Sequence, residues 1–227
     1  AARRRTARDR RPAPITAPFI TVCEPRPEQA GLTATERAVI KARQGVELLT
    51  SGELRIVDDE GREVPRDGAT VGEIVVRGNV VMKGYFNRPD ATAEALRDGW
   101  LHTGDVGSFD HDGYLTLRDR SKDLIISGGY NVYPAEVEEH INPMPGVAES
   151  AVVGVPHRDF GEAVVAVVVR KPGATVDGKL ISAELKSKIA NFKVPMAVFV
   201  VGELPRNAMG KGRKNLLREQ HKALFGG

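Results

Sequence analysis

The chain of 227 residues is 41% hydrophobic, 28% charged and only 5% aromatic, which fits a globular protein whose core is built from Val, Ile, Leu and Ala. Its longest apolar run, Ala163–Val169, is far too short to span a bilayer, no secretory signal is expected, and the single cysteine, Cys23, rules out an internal disulfide, so a cytoplasmic setting is the simplest expectation. The net charge of +3 belongs to one end: residues 1–12 hold six arginines and one aspartate, and the remaining 27 basic and 29 acidic residues leave −2. No nucleic-acid-binding motif follows the arginines, so they read as a disordered end and no nucleic-acid partner is expected.

Residues 1–30 are rich in Arg and Pro, show no period, and form an expected leader. Thr33 with Glu36 three positions on has the form of a capping box. From residue 50 the period becomes two: "GELRIVD" and "GEIVVRG" alternate like half-buried strands. "RPDATAEAL" reads as a helix, and "SFDHDGYLTLRDR" as a hairpin turning at Asp112–Gly113. Residues 31–121 are thus expected to form a β-rich unit. Beyond it, "DLIISGGYNVYP" reads as two short strands around a Gly-Gly turn, and "PAEVEEHI" as a helix opened by Pro134, with acidic residues facing the positive end of the helix dipole. A strand over Glu149–Val155, a strong strand over Ala163–Arg170, a helix over Lys179–Ala190, a strand over Met196–Val201 and a last helix from Lys214 complete the pattern. The fold class is α+β. The second unit, residues 122–227, is expected to combine a hairpin, a mixed sheet of about three strands and flanking helices, near the usual domain size of about 100 residues.

Four stretches carry chemistry: "GWLHTGD" (99–105), "RDRSKDLIISGGYNVYPAEVE" (118–138), "GVPHRDFGE" (154–162) and "LPRNAMGK" (204–211). Each alone is weak, since Thr-Gly-Asp and Gly-Gly are commonly plain turns and a glycine-flanked lysine is commonly solvated. In this order and spacing, with "GEIVVRGNVVMKGYFNRP" (72–89), they resemble the adenylate-forming superfamily of AMP-forming acyl-CoA synthetases, peptide-synthetase adenylation domains and luciferases. The likeness covers about residues 45–220, and its wording is most similar to bacterial fatty or medium-chain acyl-CoA synthetases.

The resemblance implies roles residue by residue. Asp105, at the end of what reads as a tight turn, would bind the ribose of ATP and AMP, because one carboxylate can accept from both hydroxyls of a diol. Arg120 would add a second contact to the nucleotide. Lys122 matches the hinge about which the C-terminal domain rotates between two half-reactions; a surface lysine in a linker is the other reading. Gly128, Gly129 and Tyr130 would let the pantetheine arm of CoA pass close to the backbone, with a plain hairpin turn as the alternative. Lys211, between Gly210 and Gly212, would carry a charge to the carboxylate and phosphate in adenylation, and a lysine acetyltransferase would be a regulatory partner by removing that charge. Glu136 reads as support for a helix start, His157 and Glu162 as loop-shaping residues, and Trp100 as packing beneath the Thr-Gly-Asp turn. His102 has no ligands around it at metal spacing, so no protein-bound metal is expected.

The implied reaction is ATP-dependent activation of a carboxylic acid as acyl-AMP, then thioester formation with CoA, with magnesium accompanying ATP. The family's Ser/Thr/Gly-rich phosphate loop is absent from these residues, so the chain reads as a truncated C-terminal portion that is inactive by itself. An adenylation domain that loads a carrier protein, or a non-catalytic binding module, are the alternatives.

Overall fold

The computed structural model describes residues 16, 20–24, 27–208, 210 and 212–226. The arginine-rich stretch 1–12 and Lys211 therefore lie outside the described residues. The chain divides into two compact units, one up to Leu117 and one from Arg118 onward. The strand β7 (Leu115–Arg120) runs across that division.

In the first unit, β1 (Thr21–Val22) pairs antiparallel with β2 (Val46–Glu47). Between them lies α1 (Ala34–Ala42), whose Thr33 and Glu36 form the capping box read from the sequence. The main sheet joins β3 (Glu53–Val57), β4 (Gly72–Arg77) and β6 (Trp100–Phe109), with β5 (Leu96–Arg97) and β7 also pairing with β6. The helix α2 (Pro89–Ala95) leads into β5. Alternation does what period two demands: Leu54, Ile56, Ile74 and Val76 enter a core with Phe109 and Leu115, while Glu53, Arg55 and Arg77 form an exposed charge cluster.

In the second unit, β8 (Ile125–Ser127) and β9 (Tyr130–Val132) form the short hairpin, and α3 (Pro134–Ile141) starts at the proline. Then β10 (Val147–His157) and β11 (Gly161–Arg170) pair antiparallel over almost their full length. The helix α4 (Gly178–Lys186) carries the chain to β12 (Ala197–Val201), which pairs parallel to β11, and α5 (Lys214–His221) follows. The hairpin is not separate from the other strands. Ser127 pairs with Gly161, so all five strands form one sheet. The helix expected to reach Ala190 stops at Lys186, where Ser187 Oγ donates to the Glu184 carbonyl and a tight turn follows.

The run "AVVAVVV" in β11 is buried on both faces, as a central strand covered on two sides must be. Val164, Ala166 and Val168 pack with Val137 and Ile141 of α3 and Ile181 and Leu185 of α4. Val165, Val167 and Val169 pack on the other face with Leu204 and with Leu217 of α5.

Candidate functional site

Asp105 lies in the first unit, and the turn expected there is instead a bulge inside a continuous strand. Glu73 pairs with Val106 and Val75 with His102, so Ile74 alone faces Thr103, Gly104 and Asp105. The extra residues are accommodated because Gly104 adopts φ +70°, a conformation glycine takes without steric cost. Side chains then pin the bulge. Thr103 Oγ1 donates to the Ile74 carbonyl at 2.7 Å and accepts from the Asp105 amide at 3.1 Å. The Glu73 carboxylate accepts from the Gly104 amide at 3.1 Å, meets His102 Nδ1 at 2.7 Å, and has Arg97 at 3.6 Å. Asp105 is thus carried, half-buried, on a backbone fixed from both sides.

Sequence reasoning passed over Glu73 because its partners are 29 and 31 residues away and only the strand register brings them together. It also misplaced Trp100, which does not lie beneath a turn. Trp100 opens β6 with the guanidinium groups of Arg55 and Arg77 at 4.7 and 4.6 Å from its ring, a cation–π arrangement.

The second unit carries the other candidates. Gly128 and Gly129 have φ +58° and +82°, the sign a two-residue type I′ hairpin turn requires at both positions. The Gly128 amide donates to the Phe160 carbonyl at 2.8 Å, which ties the turn to the β10–β11 connection. A side chain added at Gly129 would meet nothing within 4 Å, so the backbone there is open to an approaching group. Tyr130 is 59% exposed and stacks on Phe192 with ring centroids 4.6 Å apart.

Arg120 and Lys122 line a cavity of about 460 Å³ together with Arg206, Arg213, Lys214 and Arg218. Lys214 meets Glu138 at 2.8 Å, Arg218 meets Asp123 at 3.2 Å, and Arg206 pairs with Glu149. Burial pushes the Glu138 carboxyl above its ordinary value, against the pull of Lys214 and of the Val152 amide that donates to it. Lys122 is exposed, in a one-turn 3-10 segment over Ser121–Asp123.

The loop on either side of Lys211 is closed at its base. Arg206 and Gly212 form a backbone bridge, and the Arg213 amide donates to the Pro205 carbonyl at 2.8 Å. Gly210 has φ +77°, so the glycine before the lysine is required by the backbone. The remaining candidates hold structure. Glu136, in the first turn of α3, receives Lys193 Nζ at 2.6 and 2.8 Å. Glu162 accepts from the Ile126 amide at 2.9 Å, and His157 accepts from the Asp159 amide at 3.1 Å. Among the described residues no group of three His, Cys, Asp or Glu side chains could hold a metal ion, and no helix is long and apolar enough to cross a membrane.

Residues 136–211 match the family of AMP-binding enzyme C-terminal domains. Acetate–CoA ligase CCL3 of Humulus lupulus is 42% identical over 210 residues, which are 90% of this chain and 37% of that protein. Feruloyl-CoA synthase of an Amycolatopsis species is 48% identical over 168 residues, 74% of this chain and 34% of that protein. The crystal structure of ATP-bound MatB from Rhodopseudomonas palustris superposes with a TM-score of 0.75 at 47% identity, covering 81% of this chain and 36% of MatB. The chain belongs to the adenylate-forming superfamily and contains its AMP-binding C-terminal domain. It spans about a third of the length of these relatives.

Proposed function

We propose that the chain is the C-terminal part of an acyl-CoA synthetase that activates a fatty or medium-chain carboxylic acid. In the first half-reaction a carboxylate oxygen attacks the α-phosphorus of Mg-ATP and pyrophosphate leaves. In the second the CoA thiol loses its proton, attacks the acyl carbon, and AMP leaves. Asp105 takes the ribose, Arg120 contributes to the nucleotide, and Lys211 carries the cation for adenylation. Lys122 acts as the hinge residue, and the Gly128–Gly129–Tyr130 turn guides CoA. The phosphate loop is assigned to the part of such an enzyme that lies outside these 227 residues, so this chain alone makes no acyl-AMP. A cytoplasmic setting and control by acetylation of Lys211 go with this reading.

The observation that carries it is the Asp105 bulge. The Thr103 hydroxyl and the Glu73 carboxylate hold the backbone that carries Asp105, which suits a carboxylate that must meet a diol with both oxygens. Two hydrogen bonds to a charged acceptor contribute about 1.5–3 kcal/mol each. In an enzyme completed by joining this chain to the N-terminal portion of a relative, Asp105→Ala is therefore expected to weaken AMP binding about a hundredfold or more by calorimetry. An unchanged affinity removes Asp105 from the nucleotide site.

A further inference from the structure

We propose that Arg206 is a positioning residue for Lys211, holding the loop that carries it in the geometry adenylation needs. The inference rests on the reading of Lys211 above and adds to it a residue with no part in the chemistry. The Arg206 side chain reaches in two directions. Nη1 donates to the Gly210 carbonyl at 2.7 Å, the residue immediately before Lys211. Nη2 donates to the Glu149 carboxylate. Its own backbone meanwhile bridges to Gly212, the residue immediately after Lys211. One residue therefore grips both chain neighbours of the lysine and anchors them to strand β10.

The anchor itself is built for this. The β10–β11 register shifts between Val147 and Glu149, and such irregularities re-aim side chains. On the far side of the loop, Lys214 and Arg218 fix the following helix to Glu138 and Asp123. The Gly210 amide also donates to the Asn207 carbonyl at 2.9 Å, a turn inside the loop that leaves the Gly210 carbonyl as the acceptor for Arg206.

The role suits arginine and not lysine. A guanidinium presents several donors in a fixed plane and can hold a carbonyl and a carboxylate together, while an ammonium is a compact point charge. Arg206 is 46% exposed in its side chain, and pairs at that exposure contribute little to global stability. Its effect is therefore on the order of the loop and not on the fold. Without the brace, Gly210 loses the side-chain contact that ties it to strand β10, and glycine imposes little backbone preference of its own.

Two measurements test this. In the chain itself, Arg206→Ala should speed hydrogen exchange of the Gly210 and Arg213 amides about tenfold or more, with the β11 amides unchanged. In the completed enzyme, the same variant should lower kcat for acyl-adenylate formation about tenfold, with little change in KM for ATP and an unaltered rate from pre-formed acyl-AMP to thioester. Arg206→Lys should recover only part of the loss, since one ammonium cannot keep both contacts. Unchanged exchange, or equal losses in both half-reactions, overturns the proposal. If Lys211→Ala abolishes adenylation while Arg206→Ala leaves it intact, only the brace is wrong. If Lys211→Ala leaves adenylation intact, the reading of the lysine falls and the brace with it.

Discussion

Lys211→Ala in the completed enzyme is expected to lower acyl-adenylate formation roughly a hundredfold or more, the scale for losing one preorganised charge at a reacting phosphate. The first half-reaction gathers negative charge around phosphorus, and a compact ammonium can sit between the attacking carboxylate oxygen and a phosphate oxygen. The second half-reaction has no such need. The same variant, supplied with pre-formed acyl-AMP and CoA, should form thioester at close to the parent rate. Acetylation of Lys211 removes the same charge and should reproduce the split. Pyrophosphate exchange and single-turnover thioester assays read the two steps separately. Equal slowing of both, or of neither, would mean that the lysine is structural or merely solvated.

A comparable effect on stability is expected from Leu185→Ala. Leu185 is fully buried beneath α4, in a cluster with Ile125, Ile141 and Val164. Truncation there removes transferred apolar surface and leaves a cavity, costing about 2–5 kcal/mol. Leu180, on the same helix, is 68% exposed, and its replacement by alanine should change stability by no more than about 0.5 kcal/mol. Urea unfolding of the two variants gives the comparison. Similar midpoints for both would contradict the packing of α4 onto the sheet.

Much of the fold was legible in the sequence, for local reasons. Pro134 marks the start of α3, Thr33 and Glu36 close the capping box, and the Gly128–Gly129 turn sits between two short apolar strands. These features depend on residues a few positions apart. What depended on register was hidden. The Thr103–Gly104–Asp105 bulge comes from three residues facing Ile74 alone, and Glu73 reaches it only through strand pairing. The merging of the hairpin into the main sheet rests on one pair, Ser127 with Gly161, which no local pattern announces. Arg206 was likewise read only as part of a motif. Its partner Glu149 is 57 residues away, and the carbonyl it holds belongs to a glycine with no side chain to signal it.

We propose that the Lys211 loop serves adenylation and the Gly128–Gly129 turn serves thioester formation. The most direct test is the counterpart of the lysine variant. Gly129 has φ +82° and open space where a side chain would begin, so Gly129→Leu fits the protein at a backbone cost of about 1–3 kcal/mol while occupying the approach assigned to CoA. Both half-reactions of this variant should be measured in the completed enzyme. The account predicts that pyrophosphate exchange stays near the parent rate, while thioester formation from pre-formed acyl-AMP falls about tenfold or more. Loss of adenylation with thioester formation intact, or equal loss of both in a protein that remains folded, would contradict it.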